Sequence, residues 1–429
     1  METYLICLAV ALIGGLLLSR VTKLFNLPAV TAYLVAGLLM GPYVLGALQI
    51  PGLGFNSLHQ VEGMSVLTQM ALGFIAFAMG NEFRMSQLKT FGKKAITIGI
   101  LQAVITTVMV DLVLIGVHLL FPHMLSLPSA LVLGAIASAT APAATLMVVR
   151  QYKADGPLTR LLMLVVAIDD AIGLLLFSVS FGIAGTLSSG NASVMSMVVE
   201  PILEIVLSLG LGAVMGFLLH FVEKFFHSRS KRMAVSVAFV MLTVGLSMLD
   251  FHIGTVHCKF SLLLVCMMTG TMFCNICTTS EELMDRVERW TVPLNILFFV
   301  ISGAELDLQI LANPITLIVG VIYIIARSAG KIFGANASCR LTKCSKTITD
   351  NLGITLLPQA GVALGMALTA AALPDGAVVR NVVLFAVLVY ELVGPAMTKR
   401  ALIKAGEIDP EGRTSARTHN QPKPPVSVH

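Results

Sequence analysis

Apolar residues occur in long runs along this chain, and short polar links separate the runs. A helix needs roughly 20 mainly apolar residues to cross the hydrocarbon core of a bilayer, and stretches of that length recur from Tyr4 almost to Lys404. The pattern predicts about thirteen membrane-spanning helices, centred near residues 12, 36, 72, 106, 139, 171, 209, 240, 266, 298, 324, 362 and 389. The predicted fold is an all-α polytopic membrane protein.

The links between the predicted helices alternate in charge. Lysine and arginine collect on the cytoplasmic side of membrane proteins, and every second link holds several of them, as at Lys93 and Arg229. The intervening links around Gly54, His123, Gly190 and Asn313 hold no basic residue, and those around Asp250 and Asp375 hold one at an edge, Lys259 or Arg380. This alternation predicts an N-terminus outside the cell and a C-terminus inside it.

Composition agrees with a chain that is surrounded by lipid. Apolar residues make up 56% of the 429 residues and charged residues 12%, and the mean hydropathy is +0.90. That balance does not suit the surface of a soluble globule. The formal charge of +5 follows from the basic links, so membrane lipid and not nucleic acid is the expected partner. Residues 1–404 form the predicted membrane domain, and 405–429 are expected to be a disordered cytoplasmic tail.

Two segments of the chain resemble each other and indicate an inverted repeat. FIAFAMGNEFRMSQL at 74–88 resembles LFFVISGAELDLQIL at 297–311, and the two segments end the third and tenth predicted helices. Because an offset of seven helices is odd, the second copy must cross the membrane in the opposite direction. A chance match between two apolar helix ends is the alternative.

The same offset pairs the helices centred near residues 139 and 362, and each contains a proline near its middle. The first carries SATAP, which ends at Pro142, and the second carries LPQAG, with Pro358 and Gly361. Proline removes a backbone hydrogen bond and clashes with the preceding turn, so both helices are predicted to break inside the bilayer. Paired breaks point to an ion site near the midplane. An ordinary proline kink is the alternative for each helix.

Two adjacent acids lie in the middle of the helix centred near residue 171. An ionisable group there costs a few kcal/mol or more, so it usually has a partner or a function. Asp169 and Asp170 are too close for both to ionise cheaply, so at least one is expected to bind a proton or a cation. Competition of proton and cation for one site is the physical basis of exchange. A purely structural pair is the alternative.

The counter-charge is expected from the helix centred near residue 324. Arg327 and Lys331 are four residues apart and share one face, and Gly330 and Gly334 allow a neighbouring helix to come close to Lys331. Lys331 is the predicted charge partner of the acids, unless it extends to the cytoplasmic edge. Arg327 either supports the site or serves as a structural partner of a helix end or of Glu391. Glu391 is the inverted-repeat counterpart of the acid pair and a further candidate for supporting the site.

Four cysteines lie on the predicted cytoplasmic side of the membrane. Cys274 and Cys277 form a CxxC pair, and Cys339 and Cys344 lie on the same predicted cytoplasmic side. Four thiols can bind zinc, but the second pair has the wrong spacing for a common zinc module. We therefore expect unligated thiols and no cofactor.

Two other classes of protein also place acids inside a membrane. An intramembrane aspartyl protease needs carboxylates that face each other from separate helices, whereas Asp169 and Asp170 lie about 100° apart on one helix. An enzyme is therefore not expected. An ion channel fits the composition, but a buried acid pair with a lysine suits stoichiometric exchange better. Saturating turnover, as opposed to ohmic conductance, would distinguish exchanger from channel.

Six motifs together resemble the monovalent cation/proton antiporter superfamily, particularly the thirteen-helix bacterial sodium/proton antiporters. They are GNEF at 80–83, ATAPA at 139–143, IDD at 168–170, GAELDL at 303–308, RSAGK at 327–331 and PQAGVALG at 358–365. The resemblance covers nearly the whole chain up to about residue 404. It implies a core domain near 93–185 and 315–404, with two crossing broken helices, that moves like an elevator against a dimerisation domain in a homodimer.

The resemblance also implies roles for particular residues. Asp170 is the main ligand of the cation and the proton, and Asp169 pairs with Lys331 until the cation enters. Thr140 matches a position where relatives offer an oxygen to the ion. Ala141, followed by Pro142, stands where some relatives have an acid, which leaves the ligand set open.

The transported ions and the location follow from the same resemblance. Sodium is the expected cation, with potassium and lithium as alternatives, and exchange is expected to be electrogenic because both acids and the lysine are present. The expected location is the bacterial inner membrane, with a role in pH homeostasis. Potassium/proton antiport and sodium-coupled symport of an organic anion are the alternative functions within the fold.

Overall fold

The computed structural model describes residues 2–25, 27–50, 52–189, 200–249, 251–253, 256–258, 260–305, 314–370, 373 and 375–408. These ranges are almost entirely helical. Their α-helices are α1 (Glu2–Leu24), α2 (Ala29–Met40), α3 (Leu58–Glu62), α4 (Ser65–Met79), α5 (Met85–Leu120), α6 (Leu127–Ala137), α7 (Pro142–Gln151), α8 (Pro157–Ser189), α9 (Glu200–Glu223), α10 (Arg229–Ser247), α11 (Leu262–Ile276), α12 (Ser280–Ala304), α13 (Pro314–Leu341), α14 (Lys346–Thr355), α15 (Gly361–Ala370) and α16 (Gly376–Lys404). Short 3-10 turns lie at Gly46–Leu48 and Gly80–Phe83, and the strands β1 (Phe251–Ile253) and β2 (Val256–Cys258) pair antiparallel.

Many of these helices are suited to a bilayer. Within the described ranges, eight stretches are long and apolar enough to cross a membrane: Tyr4–Thr22, Gly92–Leu120, Leu127–Gln151, Pro157–Gly185, Ile202–Glu223, Arg229–Ser247, Pro314–Leu341 and Gly376–Lys404. Three shorter apolar helices are Ala29–Met40, Ser65–Met79 and Leu262–Ile276. The predicted all-α polytopic class is confirmed, whereas the count of thirteen spans and the orientation of the chain stay predictions.

The outward faces of the helices are apolar. Large side chains such as Leu24, Leu120, Phe225 and Ile325 are mostly exposed. A water-soluble monomer rarely exposes so many large apolar side chains together. Lipid tails are the matching surroundings for these faces.

Serine side chains mark where several helices begin. Ser126, Ser261 and Ser345 each accept a hydrogen bond from the backbone N–H three residues further on. Each bond satisfies one of the N–H groups that the first turn of a helix leaves free. The polar links thereby fix the starts of α6, α11 and α14.

The helices pack in two groups. In the first group, α5 packs on α6, α8 and α13, and α13 also packs on α14 and α16. In the second group, α11 packs on α4 and α9, and α12 packs on α1, α2 and α4. The groups meet where α7 contacts α2 and α4 and where α16 contacts α2. The fully buried charges Asp169, Arg327 and Lys331 all belong to the first group.

The chain that follows α16 folds back onto the start of α8. Glu407 accepts hydrogen bonds from the backbone nitrogens of Leu158 and Thr159, at 2.7 Å each, and from the Thr159 hydroxyl at 2.6 Å. Ile408 is buried. Residues 405–408 are therefore packed onto the helical domain, so this domain extends past the predicted boundary at Lys404. The rest of the predicted disordered tail lies outside the described residues.

Candidate ion-binding site

The two proline-containing helices are interrupted, and their breaks touch each other. Residues 138–141 separate α6 from α7, and residues 356–360 separate α14 from α15. Pro142 is the first residue of α7, where no N–H is needed. The Ala141 nitrogen donates to the Pro358 carbonyl oxygen at 2.8 Å, and Gly361 begins α15. The chain thus forms a crossing of two non-helical segments and not a pair of simple kinks.

The crossing leaves backbone carbonyl groups that need donors. The guanidinium of Arg327 donates to the carbonyl oxygens of Ala137 at 3.0 Å, Ala139 at 2.7 Å and Leu357 at 2.7 Å. Ala137 ends α6 and Leu357 follows α14, so the positive charge lies at the negative ends of two helix dipoles. The Arg327 side chain also lies 4.4 Å above the ring of Tyr390. Of the two roles that the sequence leaves open, these contacts match the structural partner of helix ends.

Lys331 forms the centre of a buried polar cluster. Its Nζ donates to Asp169 Oδ2 at 2.9 Å, Thr140 Oγ1 at 2.9 Å, the Ser138 carbonyl oxygen at 2.5 Å and Gln102 Oε1 at 3.1 Å. Asp169 and Lys331 are both completely buried. A buried pair needs such additional hydrogen bonds to offset the loss of water. Lys331 therefore lies within the protein and not at the cytoplasmic edge.

Glycine allows α13 to approach α5 closely at this point. A Cβ atom added to Gly334 would lie 3.0 Å from the Gln102 carbonyl oxygen, and one added to Gly330 would lie 3.1 Å from the Cα of Thr106. Both distances are tighter than ordinary van der Waals contact. The glycines on either side of Lys331 therefore bring its ammonium group within reach of Gln102.

Asp169 and Asp170 have different surroundings although they are adjacent on α8. Asp169 accepts hydrogen bonds from Thr140 Oγ1 at 2.8 Å and from Gln102 Nε2, in addition to Lys331. Asp170 is only 5% exposed, and its Oδ1 is buried without a hydrogen-bond partner. A step of about 100° around the helix separates the two side chains. One acid is fully engaged, and the other has a free oxygen.

Gln102 was not predicted from the sequence. It lies on α5 and joins both members of the ion pair, since Oε1 accepts from Lys331 and Nε2 donates to Asp169. An uncharged residue in an apolar run gives a weak signal. The available signal was the cost of burying an amide in the middle of a predicted span.

Glu391 is not part of the cluster around Lys331. It is buried on α16, and no hydrogen bond or ion pair of the described residues joins it to Asp169, Asp170 or Lys331. Its neighbour Tyr390 contacts Arg327 and donates to the Ile324 carbonyl oxygen at 2.8 Å. The structure therefore brings together Asp169, Asp170, Thr140, Lys331 and Arg327 with the two breaks, and it leaves Glu391 apart from them.

The surroundings of Asp170 favour a carboxyl group whose negative charge is neutralised by a bound ion. An isolated charge is expensive in such a dry environment. Asp169 is neutralised by Lys331, whereas Asp170 has no neutralising contact among the described residues. A proton or a small cation can supply that neutralisation.

A polytopic helical chain with two interrupted helices crossing at a buried acid pair has the architecture of a secondary transporter. A sequence model of the transmembrane region of the sodium/hydrogen exchangers matches residues 8–404. The chain belongs to the sodium/hydrogen exchanger family. Members of this family are transporters and not enzymes, and the chain is a membrane protein that exchanges cations for protons. The resemblance to cation/proton antiporters is thereby confirmed.

Two solved structures have a similar fold. The structure of the sodium proton antiporter MjNhaP1 from Methanocaldococcus jannaschii at pH 8 aligns with a TM-score of 0.63 and 21% identity, over 95% of this chain and 96% of that chain. An electron-microscopy map of the same antiporter aligns with a TM-score of 0.65 and 18% identity, over 97% and 98% of the two chains. A comparison with curated proteins found no match. At these identities the likeness shows the fold alone.

Proposed function

We propose that the protein is a sodium/proton antiporter of the bacterial inner membrane that exchanges two protons for each sodium ion and serves pH homeostasis. The observation that carries the proposal is Asp170, whose Oδ1 is buried without a hydrogen-bond partner beside the Asp169–Lys331 ion pair. An uncompensated carboxylate is costly at such a place. Asp170 therefore holds a proton in one state and shares a sodium ion in the other.

The sodium ligands are Asp170, Asp169 and Thr140. Thr140 Oγ1 and Asp169 Oδ2 are each 2.9 Å from Lys331 Nζ in the structure. An arriving cation must compete with the ammonium group for these oxygens. We assign the observed ion pair to the proton-loaded state, and sodium entry ends it.

The second proton comes from the Asp169–Lys331 pair. When sodium displaces Lys331, the ammonium group loses its carboxylate partner in a fully buried position and releases its proton, because an unpaired buried charge is costly. Asp170 releases the other proton. Two protons then cross for each sodium ion, so one net charge moves in every cycle.

The first group of helices is proposed to be the moving core and the second group the dimerisation domain. The helices that carry Gln102, the acid pair and Lys331 are α5, α8 and α13, and all three belong to the first group, within the ranges 93–185 and 315–404. This group can carry the ion across the membrane as an elevator without separating its ligands. The second group would then hold the partner copy in a homodimer.

The test is proton exchange in proteoliposomes with a pH indicator inside. Sodium added outside is expected to dissipate an imposed proton gradient in the wild type, and Asp170→Asn is expected to abolish the response because an amide cannot exchange a proton for a cation. Asp155→Asn is the matched control, since Asp155 is an exposed acid just before α8. Sodium-dependent proton movement in Asp170→Asn at normal expression would overturn the proposal.

The same vesicles distinguish the alternative functions. A larger response to potassium than to sodium would make the protein a potassium/proton antiporter. A requirement for an added organic anion, with sodium and anion entering together, would make it a symporter. Lithium is expected to replace sodium in part because both are small monovalent cations.

A further inference from the structure

Three side chains with metal-binding atoms meet where α9 ends. His220 and Glu223 are three residues apart and share one face of α9, and Cys277 directly follows α11. One ligand atom from each residue lies within 4.8 Å of the others. The group lies outside the acid pair and its crossing.

The atoms are close to the spacing that a metal requires. A tetrahedral zinc ion with bonds of about 2.0–2.3 Å holds its ligand atoms roughly 3.3–3.8 Å apart. Cys277 Sγ already lies 3.0 Å from Glu223 Oε2. Movement of about 1 Å in side chains completes the geometry, which rotamer adjustment can supply without shifting a helix.

His220 has a ring nitrogen without a partner. Its Nδ1 is buried and has no hydrogen bond, although buried polar atoms are nearly always paired. The residue as a whole is half-buried, so the group can be reached from the surface. An imidazole nitrogen beside a thiol and a carboxylate is typical of zinc-like divalent transition metals.

Surrounding contacts hold the Glu223 carboxylate in place. Arg232 Nε lies 3.3 Å from Glu223 Oε1, and the Thr279 hydroxyl donates to the same oxygen at 3.2 Å. The other oxygen, Oε2, accepts from the Cys277 thiol. Such contacts orient a metal ligand in advance, and loss of the thiol proton would free both atoms for a metal.

We propose that His220, Glu223 and Cys277 form a binding site for a zinc-like divalent transition metal, with water as the fourth ligand. The metal joins the end of α9 to the link between α11 and α12. The thiolate and the carboxylate supply two negative charges that balance the metal, and the thiol proton is released to water. Cys274 lies outside this group of three residues, and its Sγ donates to the Thr271 carbonyl oxygen at 3.2 Å.

The test uses Co²⁺ as a spectroscopic probe on the purified full chain in detergent under reducing conditions. The wild type is expected to bind one Co²⁺ per protomer with a thiolate-to-cobalt charge-transfer band. Cys277→Ser is expected to lose the band, and His220→Asn to weaken binding at least roughly tenfold. Cys344→Ser is the matched control and should bind within about twofold of wild type, since it leaves all three ligands in place.

Thermal unfolding of each variant without metal checks that it is folded. Zinc should raise the unfolding temperature of the wild type and of Cys344→Ser by similar amounts, that of His220→Asn by less at the same zinc concentration, and that of Cys277→Ser least of all. A wild type without a charge-transfer band would overturn the proposal, as would a band that persists in Cys277→Ser. Because the readout is metal binding, the result is independent of whether the protein transports sodium.

Discussion

The acid pair shows how one residue type takes two roles at neighbouring positions. Asp169 contacts Lys331, Thr140 and Gln102, and these contacts compensate its charge. Asp170 points to a different side of α8, and its buried Oδ1 has no hydrogen-bond partner. Asp169 therefore pairs with the lysine, and the free oxygen of Asp170 agrees with the proposal that this acid exchanges the proton for the cation.

A double-mutant cycle tests whether Lys331 and Asp169 act as a pair. Lys331→Ala leaves the Asp169 carboxylate buried without its counter-charge, so it is expected to lower the free energy of unfolding by about 3–5 kcal/mol. Adding Asp169→Ala should recover part of that loss, because no uncompensated charge remains. Thermal or denaturant unfolding in detergent measures both effects. Strictly additive losses would contradict a direct pair.

The charged residues of the site could be predicted because charge is costly inside a bilayer. Asp169, Asp170 and Lys331 stand out in apolar runs for this reason. Gln102 could not be predicted in the same way, since an uncharged amide is less costly and its role depends on which helix packs beside it. The separation of Glu391 from the cluster depends on packing too.

At the scale of elements, the half-helices α6, α7, α14 and α15 depend on each other. Proline explains why each helix breaks, but it does not supply partners for the carbonyl groups that the breaks release. Arg327 supplies them from α13 by contacting Ala137, Ala139 and Leu357. The breaks were predictable from sequence, whereas the choice of Arg327 as the residue that joins them needed the three-dimensional packing.

The contact between Glu407 and the start of α8 gives a prediction about helix capping. A carboxylate that accepts backbone N–H groups at a helix start stabilises the helix through hydrogen bonds and the helix dipole. Glu407→Ala should therefore lower the free energy of unfolding by about 1–2 kcal/mol, measured by thermal unfolding in detergent.

Asp155→Ala is the control for this capping effect. Asp155 pairs with Arg160 at 3.0 Å, but both side chains are largely exposed, and exposed pairs contribute about 0–1 kcal/mol. Equal losses for the two variants would show that Glu407 does not act as a cap. An additional loss of transport in Glu407→Ala would indicate that the position of α8 matters for the acid pair it carries.

At the scale of the whole molecule, the orientation in the membrane is a prediction that rests on loop charge alone. A cysteine placed at His123 should react with an impermeant thiol reagent from outside the cell, because its link lacks basic residues. A cysteine placed at Ser230, in a basic link, should react only after the membrane is permeabilised. Unmodified protein gives the background from native thiols. Labelling of both positions from the same side would contradict the predicted topology.

Electrogenic exchange is the prediction that concerns the complete transport cycle. Asp169, Asp170 and Lys331 offer more proton sites than one sodium ion can replace, so two protons are expected to cross for each ion. A membrane potential supplies roughly 2.3 kcal/mol per charge per 100 mV, so it should drive such a cycle. The alternative is that Lys331 only stabilises the fold while Asp170 exchanges one proton for one cation.

Proteoliposomes with equal sodium and proton concentration ratios distinguish the two stoichiometries. With both ions more concentrated inside by the same factor, a one-for-one exchanger is at equilibrium at every potential, and no net sodium movement occurs. A two-for-one exchanger moves sodium at zero potential. Net sodium movement through this exchanger should stop only at the potential where both ions are at electrochemical equilibrium. For tenfold gradients that potential is roughly 59 mV, inside negative. Sodium movement should reverse beyond it. The vesicles must exchange normally when the two ratios differ. If such vesicles show no sodium movement at any clamped potential, electrogenic exchange is contradicted. Lys331 would then have a structural role only.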